Sequence, residues 1–442
     1  MNTKINLADI RHIDALMPDL NGVFRGKRLP VANWSKVEGV GLQLPGTVFS
    51  TDICGVTVNL EKEGLLIGDP DLLCIPSLSS LCETPWFDGI AQVLMSMHHL
   101  DGEPYYGDPR HRLQSVLSQL DELELRPVVA LELEFYLTEY DGATCSVKFP
   151  RSPHNNERES MIQVYGMTEL WDFSGFLDEV EHCCTVQQVD ATAASSEYAP
   201  AQFEINLNHT SDIIAACEQA LMLKNIVRNV AHKHGFEATF MPKPFADSAG
   251  SGCHVHVSVL DRSGNNIFSS EDETGSDLLK KAIAGLLDSM PDCMAIFAPG
   301  ANSYRRFVAG NFAPLNNNWE VNNRTVAVRI PASDVQSRRL EHRMAGADVN
   351  PFLLCATVLA GIHHGLTQKV HLPQRATENA QVDNRIPTEW SRAQTLFADS
   401  AFCKKYLGAP FVRLFSAVKR QEFEAFNQAI TPLELQWYLR RS

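Results

Sequence analysis

Acidic and imidazole side chains recur at every second position in short segments of this sequence. Glu132 and Glu134 are two positions apart, and so are His254 and His256. Residues two apart in a β-strand point to the same face, so each pair would present two polar groups side by side. Neighbouring carboxylates repel each other, and a nearby cation is the usual remedy. Carboxylate oxygens with a single imidazole suit Mg²⁺ or Mn²⁺ better than Zn²⁺.

Two more segments alternate between polar and apolar residues. Glu204 stands in one of them, within 202–208, and Glu341 stands in the other, two positions away from Arg339 and from Arg343. Any one such strand is typical of an antiparallel sheet with a solvated face. Four strands whose polar faces carry glutamate, histidine and arginine indicate a shared binding site instead.

Arginine is concentrated in one part of this acidic chain. Seven arginines lie close together in the sequence: Arg305, Arg306, Arg324, Arg329, Arg338, Arg339 and Arg343. Transfer of a phosphoryl group requires that the charge on the moving group be neutralised, which divalent cations and arginines both do. The carboxylates and the arginines together therefore indicate phosphoryl transfer.

The periodicity predicts an α+β protein. The first hundred residues contain strand-like pieces at 46–58 and 65–76, punctuated by glycine and proline. Apolar residues then recur at helical spacing over 113–123, and 215–234 predicts another helix. A small β-rich N-terminal domain is therefore expected before a larger mixed domain, with the boundary near residue 107.

The composition argues against several classes of protein. The 442 residues carry 53 Asp and Glu against 38 Lys and Arg, a formal net charge of −15, whereas nucleic-acid binding needs a clustered basic surface. No apolar run reaches the roughly 18 residues that a membrane span needs, and the N-terminus predicts no signal peptide. The 11 cysteines form no Cys-x-x-Cys motif, which indicates reduced thiols in a cytoplasmic protein.

A set of motifs, taken in order along nearly the whole chain, resembles the glutamine synthetase family. The motifs are Asp108-Pro109-Arg110, Glu132-Leu133-Glu134-Phe135, Gln202-Phe203-Glu204, the segment 238–244, Gly250-Ser251-Gly252-Cys253-His254-Val255-His256, Asn323-Arg324, Arg329-Ile330-Pro331 and Arg339-Leu340-Glu341-His342-Arg343. The segment 341–348 with Asn350-Pro351 is more similar to the γ-glutamylamine, or polyamine-type, branch than to the ammonia-using enzymes.

This resemblance implies a β-grasp N-terminal domain over residues 1–107 and a catalytic domain over 108–442 with a curved antiparallel sheet. It implies a homo-oligomer, a hexamer or a dodecamer, in which each active site is shared between the N-terminal domain of one subunit and the catalytic domain of the next. The implied cofactors are ATP and two divalent cations per site, Mg²⁺ or Mn²⁺. The implied substrates are L-glutamate and an amine.

The resemblance also assigns roles to individual residues. One cation would be held by Glu134, Glu197 and Glu204, and the other by Glu132, His254 and Glu341. Contacts to ATP and phosphate would come from His256, Ser258, Arg324, Arg329 and Arg339. The substrate glutamate would contact Gly250, Arg306 and Arg343. Five carboxylates would surround two divalent ions, so we expect these carboxylates to repel one another when the metals are absent.

The implied reaction has two steps. ATP phosphorylates the γ-carboxylate of glutamate while Arg324 stabilises the moving charge, and an amine then attacks the acyl phosphate. The amine arrives protonated and must lose a proton before it is nucleophilic. Asp52 matches the N-terminal aspartate to which the family gives that role. The resemblance therefore implies an ATP-dependent ligase that forms a γ-glutamyl amide through γ-glutamyl phosphate.

One departure from the family pattern concerns the amine. Phe312 stands where the mobile loop of the family carries a glutamate that helps to hold ammonium, unless the loop is shifted by one residue. Burying a second ammonium group without a fixed partner is costly, so we expect a monoamine with an apolar or aromatic body instead of ammonia. Two alternatives stay open: a γ-glutamylpolyamine (putrescine-type) synthetase, and a non-catalytic binding or structural protein of this family.

Overall fold

Two β-sheets organise the chain, of which the computed structural model describes residues 5–65, 68–308, 313–376 and 383–442. The first sheet contains β1 (His12–Pro18), β2 (Phe24–Pro30), β3 (Leu42–Pro45), β4 (Asp71–Pro76), β5 (Cys82–Glu83) and β6 (Ile90–His98). Its strands lie in the order β2-β1-β6-β4-β3, and β5 also pairs with β6. The central pair β1 and β6 is parallel and the other pairs are antiparallel.

The second sheet is larger and almost wholly antiparallel. It contains β7 (Arg126–Asp141), β8 (Ser146–Lys148), β9 (Ala191–Ser196), β10 (Gln202–Leu207), β11 (Glu237–Thr239), β12 (Cys253–Leu260), β13 (Trp319–Val321), β14 (Val328–Ile330) and β15 (Leu340–His342). The order is β13-β14-β15-β12-β7-β10-β9, with β8 and β11 also pairing with β7. Only β13 and β14 run parallel among these described strands.

The helices pack around these sheets. They are α1 (Trp34–Val40), α2 (Pro109–Asp121), α3 (Met167–Asp172), α4 (Ser174–Val186), α5 (Ile213–Lys233), α6 (Asp277–Phe297), α7 (Pro351–Thr367), α8 (Trp390–Asp399), α9 (Ala401–Leu407), α10 (Ala409–Gln428) and α11 (Pro432–Tyr438). Helix α5 packs on β7, and α6 packs on the apolar α7. No helix in the described part of the chain combines the length and apolar character needed to cross a bilayer.

The alternation predicted from the sequence is confirmed in β7. Val129, Leu131, Leu133 and Phe135 are buried on the face toward the helices, which leaves the glutamates between them on the other face. The expected fold class, α+β with a β-rich N-terminal part and a large antiparallel sheet in the part that follows, is confirmed. The predicted boundary near residue 107 lies in the connection between β6 and α2, and the division into two domains there stays a prediction.

The strand-like interpretation of 46–58 is wrong in its first part. Residues Gly46–Ser50 form a 3₁₀ helix, because the hydroxyls of Ser50 and Thr51 both donate to the carbonyl oxygen of Thr47, at 2.9 and 3.2 Å. Such local side-chain bonds compete with strand pairing. In the other strand-like piece, the strand is confined to Asp71–Pro76 among the described residues.

Candidate active site

Strand pairing in the second sheet gathers the predicted polar residues on one face. Glu204 of β10 lies opposite Glu134 of β7. His254 of β12 lies opposite Glu132 of β7. On its other side β12 pairs with β15, which carries Glu341. The register of four strands therefore brings together side chains that are more than 200 positions apart in the sequence.

Both histidines of β12 contact one carboxylate. His254 Nδ1 lies 3.1 Å from one oxygen of Glu132, and His256 Nε2 lies 2.8 Å from the other. Arg339 Nε donates to His256 Nδ1 at 3.2 Å, so the proton of a neutral His256 ring stands on Nε2 and points at Glu132. Burial would raise the pKa of Glu132, but the hydrogen bonds from the two imidazoles outweigh it and hold that pKa well below its usual range.

Glu341 is the most deeply buried carboxylate of the cluster, at 1% exposed. Arg329 Nη1 lies 2.8 Å from one of its oxygens, and Arg343 Nη1 donates to the other. Burial alone would raise its pKa, but the charge of Arg343 dominates and lowers the pKa of Glu341 to about 2. This carboxylate is therefore ionised at neutral pH with its charge already compensated.

Glu204 and Glu197 have the opposite environment. Burial, followed by the charges of Glu132 and Glu134, raises the pKa of Glu204 to about 10. Burial and the charge of Glu134 raise the pKa of Glu197 to about 7. Two members of the cluster therefore hold protons near neutral pH because too little positive charge surrounds them.

The donor set fits divalent cations that prefer oxygen ligands. Two compact trios are present in the described part of the chain, Glu132–His256–Glu341 and Glu132–Glu204–His254, and within each the ligand atoms lie within 4.8 Å of one another. The trio Glu134, Glu197 and Glu204 expected from the resemblance is not among these compact groups, although its members line one cavity. Burial and the charges of the neighbouring glutamates raise the pKa of Glu204, so a cation beside it would meet negative charge that the described residues leave unbalanced.

Two cavities meet at Glu132. The first, of about 330 Å³, is lined by the five glutamates, by His254 and by three arginines, Arg324, Arg329 and Arg343. The second, of about 550 Å³, is lined by the predicted nucleotide residues His256, Ser258 and Arg339 and by apolar side chains such as Val128 and Leu260. A phosphorylated molecule in the second cavity would therefore point its charge at the carboxylate cluster.

Gly250 and Gly252 make room for a buried arginine beside the first cavity. A Cβ atom on Gly250 would lie 2.7 Å from Cγ of Arg306, and one on Gly252 would lie 3.2 Å from its Nη2. Arg306 Nη1 donates to the carbonyl of Met344 at 3.2 Å. Its Nε has no hydrogen-bond partner among the described residues, so this guanidinium keeps donor capacity for a carboxylate.

Asp52 does not join the cluster within one chain. Its carboxylate accepts hydrogen bonds from the backbone N–H groups of Cys54 and Val56, at 2.9 and 2.8 Å, and from Gln421 Nε2 at 2.8 Å. It lines a third cavity, which is separate from the other two. Phe312 lies outside the described residues.

The site also contains polar residues to which the sequence had assigned no role. Tyr165 lines the carboxylate cavity, and its hydroxyl accepts a hydrogen bond from Arg324 Nη1 at 3.3 Å. Gln202 Nε2 donates to the carbonyl oxygen of Gly250 at 3.1 Å. Gln202 belongs to a motif already noted, but Tyr165 lies in an aperiodic segment that gave no signal.

A buried acid holds the turn that carries Glu197. Glu169 of α3 accepts hydrogen bonds from the hydroxyl of Ser196 and from the backbone N–H of Ala201. These contacts fix both ends of the turn. Burial raises the pKa of Glu169 above its ordinary value, and nothing in the local sequence pattern pointed to this residue.

Comparison with known proteins places the chain in a family. Residues 106–438 match the family model described as glutamine synthetase, catalytic domain. The chain is 40% identical over 438 residues to gamma-glutamylputrescine synthetase PuuA of Escherichia coli (strain K12), covering 98% of this chain and 92% of that protein. It is 31% identical to glutamate–isopropylamine ligase of a Pseudomonas species, covering 95% and 93%.

The fold agrees with these sequence matches. A solved structure titled "Apo GmaS without ligand" superposes with a TM-score of 0.84 at 26% identity, covering 98% of this chain and 97% of that one. The family match spans the second sheet and every residue of the carboxylate cluster. The chain belongs to the glutamine synthetase family.

Proposed function

We propose that this ATP-dependent carbon–nitrogen ligase joins the γ-carboxylate of L-glutamate to an organic amine through γ-glutamyl phosphate. The observation that carries the proposal is the junction at Glu132, where a cavity rich in carboxylates and arginines meets a second, partly apolar cavity. The amine-ligase relatives in Escherichia coli and Pseudomonas support the same reaction class.

The two substrates of the first step fit the two cavities. The adenine and ribose of ATP would occupy the cavity with His256, Ser258 and Arg339. Glutamate would occupy the carboxylate cavity, with its α-carboxylate near Arg306 and Arg343. In this arrangement the γ-carboxylate faces the terminal phosphate across the cluster.

The proposal includes two divalent cations, which the side chains of the cluster would bind. When bound, they neutralise charge on the transferred phosphoryl group. We assign Glu134, Glu197 and Glu204 to one cation and Glu132, His254 and Glu341 to the other. Since Glu204 and Glu197 have raised pKa values without metal, the charge deficit supports this assignment.

Arginines supply the remaining positive charge. Arg324 lines the carboxylate cavity, and its guanidinium is held by the hydroxyl of Tyr165 at 3.3 Å. Arg329 is already paired with Glu341 at 2.8 Å. We therefore assign the stabilisation of the moving phosphoryl group to Arg324 and a positioning role to Arg329.

The second step needs a base for the amine. The amine nitrogen attacks the γ-carbonyl carbon, phosphate leaves with the bonding electrons, and the nitrogen of the new amide releases its surplus proton to water. Before that attack, the ammonium form of the amine must lose one proton. We assign that proton to Asp52 of a neighbouring subunit, because within one chain Asp52 lies in a separate cavity. This assignment requires a homo-oligomer with shared active sites, a hexamer or a dodecamer.

For the amine we propose a monoamine with an apolar or aromatic body. The support is Phe312, which by resemblance replaces a loop glutamate, and the relative named for isopropylamine, a monoamine with an apolar body. The second candidate is putrescine, which the 40% identical relative in Escherichia coli favours. A non-catalytic protein is the third candidate. The chain has a suitable residue at all six predicted metal-ligand positions, which argues against it.

An amine panel tests these candidates directly. ATP-dependent phosphate release is measured with L-glutamate, Mg²⁺ and one amine at a time: ammonia, putrescine, isopropylamine or 2-phenylethylamine. Mass spectrometry identifies each product. We expect the fastest release with a monoamine. If putrescine gives the highest kcat/KM, the proposed amine class is wrong but the proposed reaction stands. If ammonia gives the highest kcat/KM, the amine-ligase proposal is rejected. The absence of phosphate release with every amine tested would favour the non-catalytic protein.

A further inference from the structure

We propose that the third cavity, which is separate from the carboxylate cluster, binds a zwitterionic small molecule with an apolar body, of the α-amino-acid type. Its volume is about 550 Å³, within the range of roughly 300–1,000 Å³ typical of small-molecule sites. The first-sheet loops, α5, the segment 238–242, residues 299–302 and helices α8 and α10 enclose it.

Large apolar side chains line much of this cavity. Phe240, Met241 and Pro242 come from the segment 238–242, and Trp390 and Phe426 come from helices α8 and α10. Met241 is 43% exposed and Phe426 is 54% exposed, which is unusual for large apolar residues in a concave site. Covering them with the apolar body of a ligand removes that surface from water, and this is favourable.

Two basic side chains of α5 also line the cavity. Arg228 of α5 lies over the ring of Phe240, 5.2 Å from its centroid, and its guanidinium makes no hydrogen bond or ion pair to any described residue. Lys224, one turn earlier, donates to the carbonyls of Ala347 and Val349 at 2.6 and 2.9 Å. Its ammonium group also lies 5.6 Å from the centroid of the Phe240 ring. Arg228 is therefore a free anchor for a carboxylate.

A carboxyl group with spare acceptor capacity also lines the cavity. Asp348 lines the cavity, and its carboxylate accepts one hydrogen bond, from the hydroxyl of Ser303 at 2.6 Å. No basic side chain in the described ranges lies within ion-pair distance of it. A carboxylate can accept several hydrogen bonds, so an ammonium group would complete its environment.

The other charged residues of this cavity are already satisfied. Glu422 accepts hydrogen bonds from Lys419, from Asn21 and from the backbone of Ile53, at 2.9 to 3.0 Å. Asp52 accepts three hydrogen bonds, described above. One cation and one anion therefore remain for a ligand, which is why a zwitterion fits better than an amine or a carboxylic acid alone.

This cavity shares its walls with both parts of the reaction site. The 3₁₀ helix Ala301–Arg306 begins at the cavity and ends at the arginine behind Gly250. Asn302 links that helix to Lys243 by two hydrogen bonds, at 2.8 and 3.0 Å. The loop that carries Asp52 lines the same space. A bound ligand would therefore restrain Arg306 and Asp52 together.

Calorimetric titration of the full-length protein with L-phenylalanine tests the proposal. We expect saturable binding that persists with saturating L-glutamate, ADP and Mg²⁺, because the cavities are separate. We expect 3-phenylpropanoate, which lacks the ammonium group, to bind at least about tenfold more weakly. The readout needs no turnover, so it succeeds or fails independently of the proposed reaction.

Two variants locate the binding. Arg228→Gln should weaken L-phenylalanine at least about tenfold by removing the carboxylate anchor, and Ala425→Trp should abolish binding by filling the cavity from α10. Arg262→Gln is the matched control, because Arg262 is an exposed arginine paired with Glu124 elsewhere on the surface. It should bind like the wild type.

Four results would overturn the proposal. They are no binding at millimolar L-phenylalanine, loss of binding when glutamate is added, equal binding by 3-phenylpropanoate, and unchanged affinity in Arg228→Gln. The last comparison remains decisive if Ala425→Trp fails to fold.

Discussion

Glu204 and Glu134 lie directly opposite each other on the antiparallel strands β10 and β7. Like charges at opposite positions destabilise a sheet, yet the backbone register leaves these two side chains no other face. Glu134 accepts a hydrogen bond from the backbone N–H of Gly252 at 2.7 Å, and Glu204 accepts one from Asn206 at 3.2 Å. The sheet therefore holds these carboxylates together with too little positive charge around them, and a divalent cation can supply that charge.

This pairing predicts a pH-dependent stabilisation by metal. The pKa of Glu204 rises from 4.5 to about 10 on folding, so the cost of folding the metal-free protein grows as the pH rises between those values. A divalent cation removes that cost. The increase in melting temperature on adding Mn²⁺ should therefore be larger near about pH 8.5 than near about pH 6, by differential scanning calorimetry.

The variant Glu204→Gln provides the control for that measurement. It should stabilise the metal-free protein at the higher pH and should lose most of the pH dependence of the Mn²⁺ effect. The same Mn²⁺ increment at both pH values in the wild type would contradict the charge deficit.

Arg324 should act mainly on the rate. Replacing it by glutamine removes a charge aimed at the transferred phosphoryl group, and kcat should fall by about 10² to 10³. The melting temperature should change little, because its guanidinium makes one long hydrogen bond to Tyr165. Steady-state phosphate release gives kcat, and Arg392→Gln, at an exposed arginine on α8, is the matched control. Equal effects of the two variants would rule out this role.

Asp52 should matter only for amines that arrive protonated. Asp52→Asn keeps acceptors for the N–H groups of Cys54 and Val56, so folding should persist. Turnover with an alkylamine should fall steeply, whereas hydroxylamine, which is unprotonated at neutral pH, should remain a good acceptor. The exposed Asp71→Asn is the comparison variant. Equal losses with both acceptors would show that Asp52 is not the base.

Glu169 should position Glu197 without contacting substrate. Glu169→Gln retains one acceptor oxygen where the carboxylate used two, so the turn between Ser196 and Ala201 loosens. Metal affinity should fall by about 10- to 100-fold, as is typical when a partner behind a ligand is changed. Mn²⁺ titration followed by electron paramagnetic resonance measures this. Asp172→Asn, on the same helix α3, should have no effect, and a matching loss there would contradict the positioning role.

Much of the site could be predicted because strand geometry is periodic. Alternation in β7 and β12 placed Glu132, Glu134 and His254 on common faces, and the register observed between the strands brings them together. Tyr165 and Glu169 could not be found in this way, because Tyr165 lies in irregular chain between β8 and β9 and Glu169 lies in a helix of only six residues. The protonation of Glu204 also could not be read from sequence, since it results from burial and from several neighbours at once.

The most direct test of the account follows oxygen atoms through the reaction. L-Glutamate labelled in its γ-carboxylate with the heavy oxygen isotope is incubated with ATP, Mg²⁺ and the best amine of the panel. If γ-glutamyl phosphate forms, each inorganic phosphate released should carry one labelled oxygen, and mass spectrometry should show one γ-glutamyl amide per phosphate. Unlabelled phosphate released together with the amide would contradict the proposed mechanism.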